Sequence, residues 1–460
     1  MRLKISSMLE IYEPTKEFEN WCKENLVLSN PEYAKKLRMG LWAKNTPQKI
    51  YLYENHGNMI KIPYGCLYQI EKQFEFEWID HLQPKENNLP WTYVDLRDYQ
   101  SMAKYAMLSK HCGILVAPAG SGKTRTALAM IGANMVKTLW ITHTKDLLNQ
   151  SLMAASEFFP KNCLGTITEG KINIGTYITF ATVQTLSNID LQSFKNEWDM
   201  IICDECHRVA CSGQSVTMYA KVLNNLQATY KYGLTATPFR ADGLIKSTFA
   251  LLGDIDYEIT KQAVADKIVP LKIFPLATRI TPTGYLKYDG TIDYNKLVNA
   301  LCNNAKRNQI IVDSIEHSYL IPTLVLSSRV GHIKELQNML SEQVKTRSAL
   351  ISGDMTSKSE KELREQYIEQ MRTGEKTILF ATYNLAKEGL DIPRLERVIL
   401  TTPQKDYSII TQSVGRVARS YPDKEFGVVI DLVDSESYCY KAYKKRLSIY
   451  RKHGYEICNG

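Results

Sequence analysis

A short glycine-rich loop contains the residue types in this sequence best suited to chemistry. Residues 117–124 read Ala-Pro-Ala-Gly-Ser-Gly-Lys-Thr, between the apolar run 113–116 and the helix-forming run 126–131. Backbone N–H groups in such a loop can surround a phosphate, and the N-terminus of the following helix adds positive charge. The position that is usually the first glycine of such a loop is alanine here. The residues that we expect to contact a nucleotide are Ala119, Gly120, Ser121, Gly122, Lys123 and Thr124.

Two adjacent carboxylates, Asp204 and Glu205, follow the apolar run 201–203. At the end of a strand, Asp204 can hold Mg²⁺ together with the Thr124 hydroxyl, and Glu205 can orient or deprotonate an attacking water. The Cys-x-x-Cys spacing of Cys203 and Cys206 could instead indicate zinc, but no second pair lies at metal-binding spacing. The loop and the carboxylates together predict hydrolysis of a nucleoside triphosphate.

Two arginines in the second half could take part in the same chemistry. Arg416 and Arg419 are three residues apart in the run 412–419, so a helix would place them on one side of a turn. A guanidinium group can bind a γ-phosphate through two hydrogen bonds. The alternative is a basic helix that only faces solvent.

Alternating apolar runs and helical segments must position these side chains. A helix is predicted over 98–110, and strands over 138–142, 178–181 and 232–234 each precede a loop rich in hydroxyl groups. This order is typical of a doubly wound parallel sheet, in which ligands bind at the carboxyl ends of the strands. After a break near 255–285 a second such series follows, with strands predicted at 323–328, 349–353, 377–382 and 397–400 and a helix at 357–373.

The first 90 residues have a different character. Basic and aromatic residues alternate between Pro31 and Pro63, and segment 49–53 predicts a strand, with a turn at 55–58. Such a small sheet suits nucleic acid, although a solvated sheet face would have the same composition. Because 81–95 resembles a linker, we predict three domains: 1–90 binds DNA, 91–260 binds ATP, and 261–460 carries a basic C-terminal tail.

Composition excludes several classes of protein. The 460 residues are 44% hydrophobic and 23% charged, with a net charge of +8 that favours a polyanionic partner. The ten cysteines are scattered, which predicts reduced thiols in a cytoplasmic compartment. No leader or apolar run long enough to span a bilayer is visible, so no membrane partner is expected. Near the C-terminus, the stretch 441–446 predicts a positively charged helical stripe.

The ordered set of motifs resembles the superfamily 2 helicases of the DExH type. The matching segments, in family order, are 97–100, 117–124, 144–150, 182–185, 204–207, 235–237, 327–329, 381–393 and 412–419. Within that superfamily the chain is most similar to the XPB/UvsW-like branch, and 30–67 resembles the small N-terminal domain of UvsW-type branch-migration helicases. At 240–242 the chain has Arg-Ala-Asp where XPB-like proteins have Arg-Glu-Asp.

The resemblance implies roles for individual residues. Arg97 and Gln100 would recognise adenine, Gln412 would lie near the triphosphate, and Asp391 would lie near the ribose. Hydroxyl groups would contact the phosphate backbone of the bound strand, which positions a strand without reading its sequence. These hydroxyls belong to Thr144, Thr182, Thr185, Ser328 and Thr382. The catalytic set would be Lys123, Asp204, Glu205, Arg416 and Arg419, with Mg²⁺ held by Thr124 and Asp204.

We therefore expect an α/β protein with two RecA-like doubly wound parallel-sheet domains plus a small N-terminal α+β domain. Its expected function is an ATP-dependent DNA helicase or translocase that unwinds or remodels branched DNA in a bacterial or phage-infected host cytoplasm. The sequence leaves the oligomeric state open and favours a monomer. The alternatives are a DExH-type RNA helicase, an ATP-switched clamp or annealing protein, and a P-loop kinase. The arginines of 412–419 and the two-domain length argue against the kinase.

Overall fold

The computed structural model describes all residues except 44, 81, 86–88, 119, 238–243, 261, 356, 388–389, 391 and 459–460. Ala119, Asp391 and the segment 240–242, which the sequence singled out, thus lie outside the described residues. The chain forms two compact units, Met1–Ala263 and Val264–Gly460. The division into three domains with boundaries at 90 and 260 stays a prediction.

A five-stranded sheet and a separate two-stranded ladder are formed by the first 80 residues. The strands are β1 (Arg2–Ile5), β2 (Leu9–Tyr12), β3 (Val27–Ser29), β4 (Lys49–Tyr51), β5 (Glu54–Asn55), β6 (Met59–Ile62) and β7 (Glu77–Asp80). The helices are α1 (Lys16–Asn25), α2 (Pro31–Arg38) and α3 (Leu67–Glu71). The sheet order is β5-β6-β2-β1-β7, and β3 pairs with β4. The turn predicted at 55–58 connects β5 and β6, which pair antiparallel.

These first residues share a hydrophobic core with the rest of their unit. Phe18 and Ile60 belong to the same buried cluster as Val216 and Ala250. The Tyr64 hydroxyl donates a hydrogen bond of 2.7 Å to the backbone carbonyl of Thr229. The N-terminal sheet is therefore built against the larger sheet that follows it in sequence.

The segment predicted as a linker runs along this unit and is tied to it. The backbone N–H of Lys85 donates to Asp199 Oδ1 at 3.0 Å, and the Tyr177 hydroxyl donates to the Pro90 carbonyl at 3.1 Å. Val94 is buried. Because both ends of the segment make such contacts, its described residues do not form a free tether.

A larger, eight-stranded sheet forms the centre of the first unit. Its strands are β8 (Cys112–Val116), β9 (Thr138–Thr142), β10 (Leu164–Thr168), β11 (Lys171–Asn173), β12 (Ile178–Thr182), β13 (Met200–Cys203), β14 (Tyr230–Thr235) and β15 (Ile255–Glu258). Its helices are α4 (Asp98–Leu108), α5 (Lys123–Asn134), α6 (Lys145–Ala155), α7 (Val183–Asn188), α8 (Gly213–Asn225) and α9 (Ile245–Leu252). The order is β11-β10-β12-β9-β13-β14-β8-β15, and only the β10–β11 pair is antiparallel among the described strands. Strands β8, β9, β12 and β13 are buried throughout, as expected when helices cover both faces.

The second unit contains a seven-stranded parallel sheet. Its strands are β16 (Leu271–Ala277), β17 (Thr323–Ser327), β18 (Ser348–Ile351), β19 (Ile378–Thr382), β20 (Arg397–Leu400), β21 (Gly427–Val433) and β22 (Glu456–Ile457). Its helices are α10 (Tyr294–Cys302), α11 (Ala305–Glu316), α12 (Val330–Asn338), α13 (Glu342–Thr346), α14 (Lys358–Thr373), α15 (Tyr383–Lys387), α16 (Tyr407–Gly415) and α17 (Ser437–Lys452). The order is β18-β19-β17-β20-β21-β16-β22. The α/β class with parallel sheets, predicted from the sequence, is confirmed.

Two local predictions for the second unit are wrong. α16 ends at Gly415, so Arg416 lies in the tight turn that follows, where the N–H groups of Arg416 and Ala418 donate to carbonyls three residues back, and Arg419 forms an antiparallel bridge with Ile268. The expected positive stripe on α17 is interrupted because Arg446 is buried against Asp431. Across the described part of the chain, no helix is both long and apolar enough to span a membrane.

Candidate active site

The predicted site residues of the first unit gather at one edge of its large sheet. The neighbouring strands β12, β9, β13, β14 and β8 are parallel and in register, so their carboxyl ends lie side by side. The loops that leave this edge contain the sequence motifs 117–124, 143–144, 182–185, 204–207 and 235–237. In open parallel sheets this edge is where ligands bind.

The phosphate-binding loop is closely packed against α4. Gly120 and Gly122 have φ values of +83° and +80°, which side chains rarely tolerate. A Cβ atom added at Gly122 would lie 2.2 Å from Nε2 of Gln100. That same Nε2 donates to the Ser121 carbonyl at 2.8 Å, and the Tyr99 hydroxyl donates to it at 3.2 Å. The loop's shape therefore depends on α4 as well as on its own glycines.

Both polar atoms of the Gln100 side-chain amide form hydrogen bonds within the protein. Its Oε1 accepts a hydrogen bond of 3.0 Å from the Arg97 N–H, while its Nε2 holds Ser121. The Arg97 side chain donates to the Tyr99 hydroxyl at 3.0 Å. An amide has two donor and two acceptor positions, so one of each remains for a ligand. Bracing of the loop was not predicted from the sequence, which suggested only adenine recognition.

Lys123, at the start of α5, forms an ion pair with Glu205. Its Nζ lies 2.9 Å from Glu205 Oε1, and both side chains are largely buried. Burial alone would lower the pKa of Lys123, but the carboxylates of Glu205 and Asp204 outweigh it and raise that pKa. Burial alone would raise the pKa of Glu205, but Lys123 and His207 hold it well below its usual value. Burial and the neighbouring Glu205 raise the pKa of Asp204 to about 6.

Glu205 is held in a strained backbone conformation. Its φ is +48°, in the left-handed region, and its N–H donates to Asp204 Oδ1 at 2.9 Å. Such a conformation costs a non-glycine residue about 1–2 kcal/mol and is often found at functional sites. It turns the Glu205 side chain toward Lys123 directly after the strand.

His207 extends this cluster to the next strand. Its Nδ1 lies 3.3 Å from Glu205 Oε2 and 3.0 Å from the Thr235 hydroxyl. That hydroxyl also accepts a hydrogen bond from the Thr237 N–H at 3.0 Å. A continuous set of contacts thus joins the phosphate-binding loop to the loop after β14. His207 lies in the motif segment 204–207, and no role was predicted for its side chain.

The hydroxyl residues of the first unit lie further along the same edge. The Thr182 and Thr185 hydroxyls are 2.9 Å apart after β12, and the Thr144 hydroxyl accepts a hydrogen bond from the Leu147 N–H at the start of α6. β9 lies three strands from β8, which is about 14 Å at the usual strand spacing. The edge therefore carries two separate groups of side chains, one around Lys123 and one around these threonines.

The second unit brings its own hydroxyl residues together. Ser328 follows strand β17, and Thr382 is the last residue of the adjacent strand β19. The Ser328 N–H donates to the Thr402 hydroxyl at 2.9 Å, and the two hydroxyls are also 2.9 Å apart. Thr402 was missed by the sequence analysis, although the pair 401–402 directly after strand β20 repeats the hydroxyl-after-strand pattern seen elsewhere.

The residues around the end of α16 are partly buried in the second unit. Arg416 donates to the carbonyls of Ala386 and Leu390 at 3.0 and 2.8 Å. Burial, with Arg372 nearby, lowers the pKa of Arg419. Oε1 of Gln412 is buried and has no hydrogen-bond partner within the described part of the chain. An amide oxygen left in this state is suited to accept a hydrogen bond from a ligand or water.

Comparisons with known proteins identify the family. Residues 93–240 match the family described as "Type III restriction enzyme, res subunit", and 298–421 match the "Helicase conserved C-terminal domain". The DNA 3'-5' translocase XPB2 of Sulfurisphaera tokodaii is 25% identical over 82% of this chain and 90% of its own. The ATP-dependent DNA helicase uvsW of Enterobacteria phage T4 is 22% identical over 79% and 72%. The chain is a superfamily 2 helicase of the XPB/UvsW-like branch. It is an ATP-dependent enzyme.

Two further similarities bear on this helicase. A putative ATP-dependent RNA helicase of Acanthamoeba polyphaga mimivirus is 27% identical over 88% of this chain and 77% of its own. The fragment structure of a putative HsdR subunit of a type I restriction enzyme from Vibrio vulnificus has a TM-score of 0.58 at 19% identity, over 80% of this chain and 69% of its own. That likeness concerns the fold alone.

Proposed function

We propose that this helicase moves along DNA by hydrolysing ATP and thereby unwinds or remodels branched DNA. The observation that carries the proposal is the common sheet edge of the first unit. There the Lys123–Glu205 pair and the Thr144, Thr182 and Thr185 hydroxyls are fixed to one rigid set of strands. A change at the nucleotide can therefore be transmitted to the hydroxyl residues through a short, buried structure.

The donor atoms near Lys123 fit a magnesium–nucleotide complex. Thr124 and Asp204 offer hydroxyl and carboxylate oxygens, which are the ligands that Mg²⁺ prefers. Bound Mg²⁺ would neutralise charge on the phosphates. Gly120 and Gly122 keep the loop backbone open to phosphate oxygens, and the buried Ser121 hydroxyl lacks a partner in the described structure.

Lys123 and Glu205 would separate when ATP binds. The Lys123 ammonium would turn from Glu205 to the phosphates, which carry more negative charge. Glu205 would then lose its strongest positive neighbour, so its pKa would rise toward the range in which it can accept a proton from water. His207 would remain in contact with Glu205 and report its state to Thr235.

We propose the remaining nucleotide contacts on the basis of the family resemblance. Arg97 and Gln100 would bind adenine and Asp391 the ribose, although Asp391 lies outside the described residues. Arg416 and Arg419 would stabilise negative charge that develops on the γ-phosphate, and Gln412 would contact the triphosphate with its buried, unpartnered oxygen.

A nucleic-acid substrate is favoured by charge, and DNA in particular by the names of two relatives. The relatives from Sulfurisphaera tokodaii and phage T4 are named as DNA enzymes, and the net charge of this chain is +8. Thr144, Thr182 and Thr185 in the first unit, with Ser328 and Thr382 in the second, would contact phosphates. RNA is the second candidate, since the mimivirus relative is named as an RNA helicase.

The ability to select branched DNA is proposed to lie in the N-terminal segment. α2 contains no fully buried residue, and its last turn carries Lys35, Lys36 and Arg38. Because this segment shares its core with the ATP-binding sheet, charge reversal is a cleaner test than deletion. Lys36 donates to the Thr46 hydroxyl at 2.6 Å, so only Lys35 and Arg38 should be changed.

The test is the ATPase rate on single-stranded, duplex, forked and four-way DNA and on single-stranded RNA, with strand displacement measured on the same fork. We expect DNA to stimulate hydrolysis more than RNA. Lys35→Glu with Arg38→Glu should lower the preference for forks while leaving stimulation by single strands intact. Stronger stimulation by RNA would favour the second candidate, and binding without strand displacement would favour an ATP-switched clamp.

A further inference from the structure

A short β-hairpin projects from the second unit just before α10. Leu286 and Ile292 form its antiparallel bridge. The Lys287 N–H donates to the Thr291 carbonyl at 2.8 Å, and the Gly290 N–H donates to the Lys287 carbonyl at 3.0 Å. These bonds define a three-residue loop, 288–290, in which a type I turn is followed by a left-handed glycine.

The sequence of this hairpin fixes its shape. Gly290 has a φ of +76°, as the last position of such a loop requires. Asp289 Oδ1 accepts hydrogen bonds from the Thr291 N–H and hydroxyl at 2.9 and 2.6 Å. At the base, Tyr285 and Ile292 pack against the small buried cluster that contains Leu297. The hairpin is therefore an anchored structure with a defined tip.

Large apolar side chains are exposed at this tip. Tyr288 is fully exposed, and the Leu286 side chain is 54% exposed. Exposing them gains nothing for folding, because a turn of this type needs only Asp289 and Gly290. A rigid tip with an exposed ring is suited to stack against another flat, apolar surface.

The base of the hairpin is joined to the hydroxyl cluster of the second unit. Tyr294, the first residue of α10, donates through its hydroxyl to the Pro403 carbonyl at 3.0 Å, and its ring lies on that of Tyr438. Burial raises the pKa of Tyr294, and a hydrogen bond with the Ser328 side chain opposes that rise. Arg329 donates to Asn295 and Asn299 on α10 at 2.8 and 3.0 Å. The hairpin thus stands beside the residue proposed to hold a phosphate.

We propose that the hairpin of residues 285–293 is a strand-separating pin, with the Tyr288 ring stacking on the base at the junction where duplex becomes single strand. The inference rests on the proposed function, because Ser328 must hold the bound strand nearby. Aromatic rings accept any base by stacking, and apolar side chains inserted at a base step help to open it. Such a pin would not read sequence.

Charges of both signs surround the pin, with the positive charges in slight excess. Lys287, Lys296 and Arg329 lie on or next to the hairpin. The carboxylates of Asp289 and Asp293 offset two of these three positive charges, and both are held by hydrogen bonds, Asp289 to Thr291 and Asp293 to N–H groups at the start of α10. This small positive excess permits a phosphate backbone nearby, and contact with the junction itself is assigned to the exposed Tyr288 ring.

The experiment uses the full chain and a forked DNA with 2-aminopurine at the first base pair of the duplex. With a non-hydrolysable ATP analogue, wild type should increase the 2-aminopurine fluorescence as the base unstacks. Tyr288→Ala should abolish most of that increase and slow unwinding about five- to hundredfold, as expected for the loss of one base stack. Tyr288→Trp, which keeps a ring, should retain both signals.

Two controls make the outcome decisive. ATPase stimulated by single strands should change less than about twofold in Tyr288→Ala, and a circular dichroism melt should show an unaltered fold. Leu320→Ala removes another exposed apolar side chain, near the amino end of β17, and should unwind normally. If Tyr288→Ala unwinds forks as well as an active wild type does, the proposal of a strand-separating pin is wrong. It is also wrong if Tyr288→Ala loses single-strand-stimulated ATPase activity in parallel with unwinding. If wild type neither responds to DNA nor unwinds it, the proposed function itself fails.

Discussion

The ammonium group of Lys123 lies 2.9 Å from a carboxylate oxygen of Glu205, so each neutralises the other in a mostly buried site. The proposed mechanism requires that this pair be broken, because Lys123 is needed at the phosphates and Glu205 at the water. The pair therefore holds the site in a defined state that only a strongly anionic ligand should change. Substitutions at its two members should have different effects.

Replacing Lys123 with alanine should abolish hydrolysis and spare DNA binding. Loss of one charge-stabilising donor typically slows the chemical step about 10²–10³-fold. The proposed strand-contacting threonines belong to other strands, so DNA affinity without nucleotide should stay within about twofold. The matched control is Lys137→Ala, which breaks the ion pair with Glu197 at the start of β9. Turnover by Lys123→Ala equal to that of the control would exclude the phosphate-binding role.

Replacing Glu205 with glutamine should keep ATP binding and stop turnover. The amide preserves the shape of the side chain but cannot accept a proton, so ATP should stay bound and trap the state that holds DNA. We expect tighter DNA binding with ATP than without it, measured by fluorescence anisotropy, and no such change in Glu197→Gln. Rapid hydrolysis by Glu205→Gln would show that another group activates the water.

Replacing Arg416 should affect both chemistry and stability. Arg416→Ala leaves the carbonyls of Ala386 and Leu390 without these donors, at a cost of about 1–3 kcal/mol for each buried acceptor. We expect a lower melting temperature and a fall in kcat that exceeds any change in nucleotide Kd. Arg416→Lys keeps the charge without the fork, so it should recover stability only in part. A normal kcat in both variants would leave Arg416 a purely structural residue.

The strands around the site were predictable, because each is a short apolar run followed by hydroxyl, glycine or acidic residues. β9 was predicted at 138–142 and is found there, and the helix predicted at 357–373 is found over Lys358–Thr373. Periodic patterning within a few residues carries this information. The contacts of Gln100 and His207 were not predictable, because their partners, Ser121 and Thr235, lie about 20–30 residues away.

The burial of Arg446 was predictable from the spacing of the apolar residues around it, but the prediction of a positive stripe relied on the number of basic residues. The buried residues of α17 are Cys439, Ala442, Arg446, Ile449 and Tyr450, spaced three or four apart as one helix face. Arg446 thus occupies a core position, while its neighbours Lys444 and Lys445 do not. The number of basic residues in this stretch does not show which face of the helix each one occupies.

Lys445 and Arg446 should therefore behave differently on substitution. Arg446→Met leaves the buried Asp431 without its bidentate partner and should destabilise the second unit by about 3–5 kcal/mol. Lys444→Gln with Lys445→Gln should leave the melting temperature unchanged and reduce the slope of log DNA affinity against log salt, by about 0.9 for each lost phosphate contact. An unaltered slope would mean that the exposed lysines of α17 do not touch DNA.

Lys231 should make the stability of the first unit dependent on pH. It is fully buried, and burial lowers its pKa to about 7; its Nζ donates to the carbonyls of Ser7 and Leu223 at 2.8 and 2.7 Å. The unfolded chain keeps this proton up to the ordinary lysine pKa of about 10.4, so unfolding takes up a proton between about pH 7 and 10. Stability contributed by this residue should rise with pH across that window.

The measurement is the difference in denaturation midpoint between wild type and Lys231→Met at pH 7 and pH 9.5. Other titrating groups cancel in this difference, which should shift in favour of wild type as pH rises. A difference independent of pH would show that Lys231 stays charged in the folded state.

The shared core of the first unit has a consequence for synthesis on the ribosome. Tyr64 reaches Thr229, and Cys66 reaches Ala250, across 165 and 184 residues of sequence. At about 5–20 residues per second, the N-terminal sheet must wait roughly ten to thirty seconds after its own translation before the chain that completes its core is made. During that interval the N-terminal part of this core lacks Val216, Leu244 and Ala250, which cover it in the complete unit. This order of events makes completion of the N-terminal core depend on synthesis of the larger sheet of the first unit.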